Sequence, residues 1–290
     1  MTGKAGSRRS IPMEHDGQPP WPDGALAPLA PGPLIQIRHG ALVVDIAPRA
    51  GGRIAQIAFD RAEWLVGHDD RNEAMIAWGC FPMLPWAGRI RRGQFGFRGR
   101  RYRLPVNLGD HAIHGVAFGM PWHVDEHSAT RAGLSLRLPV DGRWPFGGVA
   151  RQLIEADERR LRMTLTLTAG DRPMPATLGW HPWFLKPDRL DFAPSHLYPR
   201  DEEGIASLPL AAPSRGPWDD CFLNEKPVII HRGGQRVQLE SDCNHWVVYD
   251  ETNHATCVEP QSGPPDAFNL GLSKQLAPRE SLSHWFLMTW

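Results

Sequence analysis

Cysteine is scarce in this sequence, and the little there is forms no pattern. Four cysteines in 290 residues, Cys80, Cys221, Cys243 and Cys257, include no CxxC pair, and their spacing matches neither a zinc knuckle nor a dense disulfide framework. They read as reduced thiols, which points to a cytoplasmic protein. An excess of either charge is also missing. The 32 Lys and Arg residues balance 32 Asp and Glu, so no net field draws the chain toward nucleic acid or an anionic membrane. The expected partner is a small, neutral molecule. No run approaches the roughly 18 apolar residues of a membrane span. "SRRS" (Ser7–Ser10) hints at a twin-arginine export signal, but "IPMEHDGQPPWPDG" follows where an apolar stretch is required. Also absent are an amphipathic run of about ten residues, an internal repeat, an interdomain linker, and a Gly-rich segment opening a helix that would cradle phosphate.

What is present reads as β-structure. Residues 1–33 are rich in Pro, Gly and charge without periodicity, and are expected to form a flexible or loosely draped leader before one domain over 34–290. A hydrophobic content of 41% is enough for a sizeable core. Short runs such as "LIQI", "ALVVDI", "RIAQIAF", "LSLRLPV", "RQLIEA", "LRMTLTLT", "PVIIH", "RVQLES", "HWVVYD", "ATCVE" and "HWFLMTW" are separated by Gly, Pro, Asn and Asp. That spacing predicts an all-β sandwich or barrel rather than βαβ units. In "LRMTLTLT", Leu161, Met163, Leu165 and Leu167 fall on one face and Arg162, Thr164, Thr166 and Thr168 on the other, with "DER" a hairpin turn back to "RQLIEA". Three stretches read as long loops able to carry chemistry: 78–93, 107–122 and 213–222, each with aromatics beside polar groups. The 12 tryptophans are mostly expected in the core, although a flat apolar face also suits a sugar ring.

Two patterns suggest functions that their surroundings do not support. "RRGQFGFRGRRYR" (91–103) interleaves six arginines with Phe95, Phe97 and Tyr102, as an RNA-binding strand would, but the helices of such a domain are missing. A β-hairpin with arginines on its wet face accounts for it. His111 and His114, and His123 and His127, stand at ligand-like spacing, yet no third ligand or supporting carboxylate is evident for a metal in a cupin-like sandwich.

"LGWHPWFL" (178–185) sets His181 among Trp180, Trp183 and Phe184, with Pro182 fixing the backbone after it. A histidine so placed is ordinarily a core residue satisfied by a carbonyl. Its weight here comes from its companions: Arg89 in "PWAGRI", His114 in "HAIHG", Asp219 in "WDDCF", and Glu259, where a strand-like run ends on a carboxylate followed by proline. In this order, "PMLPWAGRI", "HAIHG", "GWHPWF" and "CVEPQSGPPDAFN" resemble the aldose 1-epimerase (mutarotase) family, from about residue 51 to the terminal "HWFLMTW". The resemblance implies a large antiparallel β-sandwich that binds a free monosaccharide in a cleft across one concave sheet. His181 is then the general acid and Glu259 the general base. Arg89, His114 and Asp219 hold the sugar's hydroxyls or ring oxygen, Asp219 rather than Asp220 because it lies three residues before Phe222. Two positions depart from the family pattern: Trp183 is often Tyr, and Phe118 stands where many relatives have Arg.

The implied chemistry needs one acid and one base. Interconverting α and β anomers removes a proton from the C1 hydroxyl while the ring oxygen gains one; the C1–C2 bond rotates in the open aldehyde, and both transfers reverse. Each positioned transfer contributes roughly 10²- to 10⁴-fold, so no metal or nucleotide cofactor is called for. A carboxylate beside His181 is expected to keep it protonated at neutral pH, leaving Glu259 ionised. A glycosidase would ordinarily present two carboxylates instead. The competing reading is a sugar-binding or sensor protein whose same groups only bind.

Overall fold

Alternation of apolar and polar residues is what the chain turns into sheet. In the computed structural model, which describes residues 24–290, strand Arg160–Thr168 buries Leu161, Met163, Leu165 and Leu167. Each such side chain contributes about 1.5–3 kcal/mol by leaving water. The strand pairs antiparallel with Val149–Ala156 across the expected turn and with Ser281–Thr289 on its other side. These three lie within an eight-stranded sheet ordered His123–His127, Arg131–Arg137, Val149–Ala156, Arg160–Thr168, Ser281–Thr289, Gln235–Ser241, Val228–Arg232, Arg189–Asp191.

A ten-stranded sheet faces it. Its order is Ile35–His39, Leu42–Ala47, Arg53–Phe59, Cys80–Met83, Gly179–Leu185, Ala255–Gln261, His245–Tyr249, Asp219–Leu223, His196–Tyr198, with Ala62–Glu63 paired to Arg53–Phe59. Ile37, Val44, Trp180, Trp246 and Val258 from this sheet and Leu134, Ile154, Met163, Leu239 and Phe286 from the other share one buried cluster. This is the large antiparallel β-sandwich of the resemblance. Among the described residues the only α-helix is the short Ala267–Leu270, and no helix is long and apolar enough to cross a membrane.

Three differences from the sequence reading bear on function. The stretch 78–93 is not all loop: Cys80–Met83 is a central strand of the larger sheet, buried at all four positions. Burial on both faces erases the alternation that would have revealed it, and Pro82 withholds a ladder donor. Gly179–Leu185 and Asp219–Leu223 are likewise strands. Of the leader expected over 1–33, residues 1–23 lie outside the described residues. The remainder is tied down, with the Ala25 amide donating to Asn107, the amides of Met75 and Ile76 donating to Ala27 and Ala25, and Leu29 donating to Glu73.

The arginine-rich stretch folds as the expected hairpin, Gln94–Phe97 with Arg100–Arg103. Phe95 and Phe97 are buried, and Phe95 stacks on Tyr102 at 5.3 Å, so these rings serve packing. Arg91 and Arg92 are ion-paired to Asp201 and Glu203.

Candidate active site

Strand register assembles the site. The pairs Gly179↔Gln261 and Trp183↔Cys257 place His181 directly across from Glu259 on the neighbouring strand. Further pairs extend that row: Phe81 beside His181, Val247 beside Glu259, Cys221 beside Val247. The next row on the same face runs Trp183, Cys257, Tyr249, Asp219. Side chains alternate along each strand, so Trp180, Phe184 and Val258 point into the sandwich core while these two rows line the opposite face. Proline occupies Pro182 and Pro260 beside the facing pair, and the ladder between the two strands is interrupted from 180 to 182. Those missing donors free the backbone there from regular pairing.

All five residues singled out in the sequence meet on this face. His181 Nε2 lies 3.2 Å from Glu259 Oε1, both side chains buried. The His114 ring meets the His181 ring edge-on at 4.9 Å. His114 reaches it from the turn after the two-residue strand Ala112–Ile113, whose partner strand Arg89–Ile90 carries Arg89. Arg89 Nη2 sits 3.9 Å from Asp219 Oδ2. Trp183 stacks on His181 at 5.5 Å and donates its indole N–H to the Ile76 carbonyl at 2.7 Å. Phe118 packs on Phe81 at 5.3 Å.

Burial sets the electrostatics. It pulls His181 down to about 3, with the Arg53 charge pulling the same way, and it pulls His114 well below an ordinary histidine. It pushes Glu259 well above the usual carboxylate range, helped by the Asp219 charge and opposed by the Gln261 amide and Arg89. Asp219 is also raised, again chiefly by burial. The expectation that a nearby carboxylate keeps His181 protonated is therefore corrected: desolvation of the imidazolium outweighs that attraction.

Four contributors escaped the sequence reading. Phe81 stacks on His181 at 4.6 Å. Gln261 donates to Glu259 Oε2 at 3.0 Å. Arg200 Nη1 binds Asp219 Oδ2 at 2.8 Å while its Nε reaches Asp220 at 3.2 Å. Arg53 is fully buried and donates to the carbonyls of Ala50, Met75, Trp78 and Phe118 at 2.7–2.9 Å. Its guanidinium lies 4.2 Å from the Trp78 ring centre and 5.0 Å from that of Phe81. Only its place after two glycines, where a strand begins, hinted that it enters the interior.

Gly115 holds His114 in place. Its φ is +76°, and a Cβ there would come within 1.9 Å of the Leu84 carbonyl oxygen, which also accepts the Val116 amide. Gly115→Ala is expected to destabilise the fold by about 3 kcal/mol through strain and steric overlap, read as a fall in the urea midpoint at constant m.

The histidine spacings do not converge on a metal site. His111 Nδ1 accepts the Arg92 amide, while His114 faces the cleft. His123 and His127 lie on an outer strand, bonded to Asp125 and to the Gln36 carbonyl. Among the described residues, two other groups bring three ligand atoms within 4.8 Å of one another: His181, Cys257 and Glu259 in the cleft, and Asp242, Cys243 and His284 away from it. A cation in the first would occupy the groups that face each other across the two strands.

A family model described as aldose 1-epimerase matches residues 33–289. The uncharacterised protein YihR of Escherichia coli K12 is 25% identical over 77% of this chain and 82% of its own length. Two solved structures share the fold. A GalM/aldose epimerase homologue from C. elegans superposes with a TM-score of 0.78 at 16% identity, covering 89% of this chain and 98% of that one. A galactose 1-epimerase from Lactobacillus acidophilus NCFM does so at 0.74 and 17%, covering 88% and 94%.

Proposed function

The chain belongs to the aldose 1-epimerase family, and on that premise we propose that it is an isomerase interconverting the α and β anomers of a free aldose by acid/base ring opening and closure. The observation that carries this reading is the buried pair His181 and Glu259, 3.2 Å apart on adjacent strands. Arg89, His114 and Asp219 stand around it to hold the ring hydroxyls. The two arginines that pair with Asp219, Arg89 and Arg200, are matched by Asp219 and Asp220 together, which favours a neutral sugar over an anionic one. We place the protein in the cytoplasm, as one domain over residues 34–290; four free, buried cysteines suit a reducing compartment.

His181 acts as general acid and Glu259 as general base. Before a sugar binds, burial favours the neutral form of each. A bound sugar changes the balance. Its C1 hydroxyl donates to Glu259 and its ring oxygen accepts from His181, which stabilises imidazolium and carboxylate without a proton from solvent. The proton then goes to the ring oxygen as Glu259 takes the one from C1–OH. Electrons and protons balance when the aldehyde closes on the other face.

The pH dependence follows from the pair titrating as a unit. With His181 pulled down to about 3 and Glu259 pushed up, a second proton is gained only far below pH 6.5, and the single proton is lost only above the ordinary carboxylate range. kcat/KM is therefore expected to stay level through the ordinary carboxylate range, about pH 4–5, and to fall with rising pH only above it. Activity that instead rises through that range, as an ordinary carboxylate ionises, would contradict the pair.

Arg200 holds Asp219 through a 2.8 Å contact between its Nη1 and Oδ2. Arg200→Met is expected to raise KM roughly threefold to tenfold with little change in kcat, the effect of loosening a half-exposed charged contact. Polarimetry of freshly dissolved α-anomers of glucose, galactose, xylose and arabinose, paired with calorimetric titration of each, tests the function. Acceleration of mutarotation supports the enzyme; saturable binding of a sugar with no acceleration supports the sensor reading in its place.

A further inference from the structure

We propose that Asp242, Cys243 and His284 form a binding site for a borderline-soft divalent cation such as Zn²⁺, remote from the sugar cleft. The segment Asp242–Asn244 carries the chain from strand Gln235–Ser241 of the eight-stranded sheet to strand His245–Tyr249 of the ten-stranded one. The first strand's last pair with its neighbour is Ser241↔Phe286. Continuing that register sets Cys243 across from His284. Along Ser281–Thr289, His284 shares the face of Phe286 and Met288, which are buried, so it points inward at the rim of the sandwich.

The three ligand atoms lie within 4.8 Å of one another. His284 Nδ1 is 3.3 Å from Asp242 Oδ1, yet it is buried and makes no hydrogen bond, because the approach is misaligned for one. A tetrahedral ion with metal–N and metal–O bonds of about 2.0–2.1 Å places its nitrogen and oxygen ligands about 3.3 Å apart. That separation is wasted on a hydrogen bond and right for two ligands of one ion. The carboxylate is held for the task, since Oδ1 also accepts the Trp285 amide at 2.8 Å. Cys243 is held too, its amide donating to Ser241 Oγ, which itself donates to the Trp285 carbonyl.

Thiolate and imidazole donors select zinc-like ions over magnesium or calcium. Cys243 is almost wholly buried, whereas Asp242 and His284 keep 37% and 21% of their side chains exposed and offer an entry path. Three protein ligands leave the fourth position to water. The bound ion would clasp the crossover between the sheets just before the strand that pairs with the Glu259 strand.

Cobalt titration of the reduced, metal-stripped full chain tests this. The expected result is a thiolate-to-cobalt charge-transfer band saturating at one equivalent, tightening as pH rises because the ion displaces the thiol proton. Zn²⁺ should raise the Tm. Both signals should vanish in Cys243→Ser, require at least about tenfold more metal in His284→Gln, and persist in Cys257→Ser. No band in the wild type, or a band surviving Cys243→Ser, would overturn the proposal. So would loss of the band in Cys257→Ser, which would place the ion in the sugar cleft.

Discussion

Glu259→Gln is expected to slow anomer interconversion about 10²- to 10⁴-fold while leaving sugar binding within severalfold of wild type. The amide matches the carboxyl in shape and can still accept from Gln261, but it cannot take the C1 hydroxyl proton. Removing a buried ionisable group spares the fold, since Glu259 is costly to ionise where it sits. His181→Asn should fall into the same range for the complementary reason, loss of the donor to the ring oxygen. The double variant should be little slower than either single one, because acid and base serve one coupled transfer. The rates come from polarimetry at saturating sugar, and the affinities from calorimetry. Two independent losses that multiply would mean that the groups act in separate steps.

Arg53→Met should be the most damaging substitution for stability, by at least about 4 kcal/mol. Arg53 is fully buried and donates to four carbonyls, those of Ala50, Met75, Trp78 and Phe118. Removing it strands four buried acceptors, each costing about 1–3 kcal/mol. The loss is a large fraction of the stability of an ordinary domain, about 5–15 kcal/mol. Arg53→Lys, which keeps the charge but not the fork of donors, should lose less and remain foldable. In that variant the urea midpoint should fall and sugar affinity should weaken together. The shared cause is that Arg53 anchors Met75–Trp78, whose Ile76 carbonyl holds Trp183, and Phe118, which packs on Phe81 beneath His181. Unchanged stability would show that water or backbone relaxation satisfies those carbonyls.

Legibility in the sequence followed the physics of each element. "LRMTLTLT" announced itself because one face is buried and the other wet, so composition alternates with the pleat. Cys80–Met83, Gly179–Leu185 and Ala255–Gln261 are buried along almost their whole length, and proline interrupts each of them. Only the third had been read as a strand, and then only to Glu259. The five candidate residues were singled out through local motifs. Their meeting depends on strand order and register, which local pattern does not encode. Arg53 and Arg200 were missed because a single arginine in an unremarkable stretch reads as surface. Burial of the first and the double carboxylate contact of the second become visible only when distant segments are brought together.

Exchange NMR at equilibrium reads the central claim directly, because it follows α and β anomer resonances of one sugar without any net reaction. With protein present and the sugar in excess, the wild type should give exchange cross-peaks between the two anomers well above buffer, and Glu259→Gln should give none while still broadening the sugar signals by binding. A wild type that broadens those signals yet leaves anomer exchange at the buffer rate would contradict the account and leave the cleft a site that only binds.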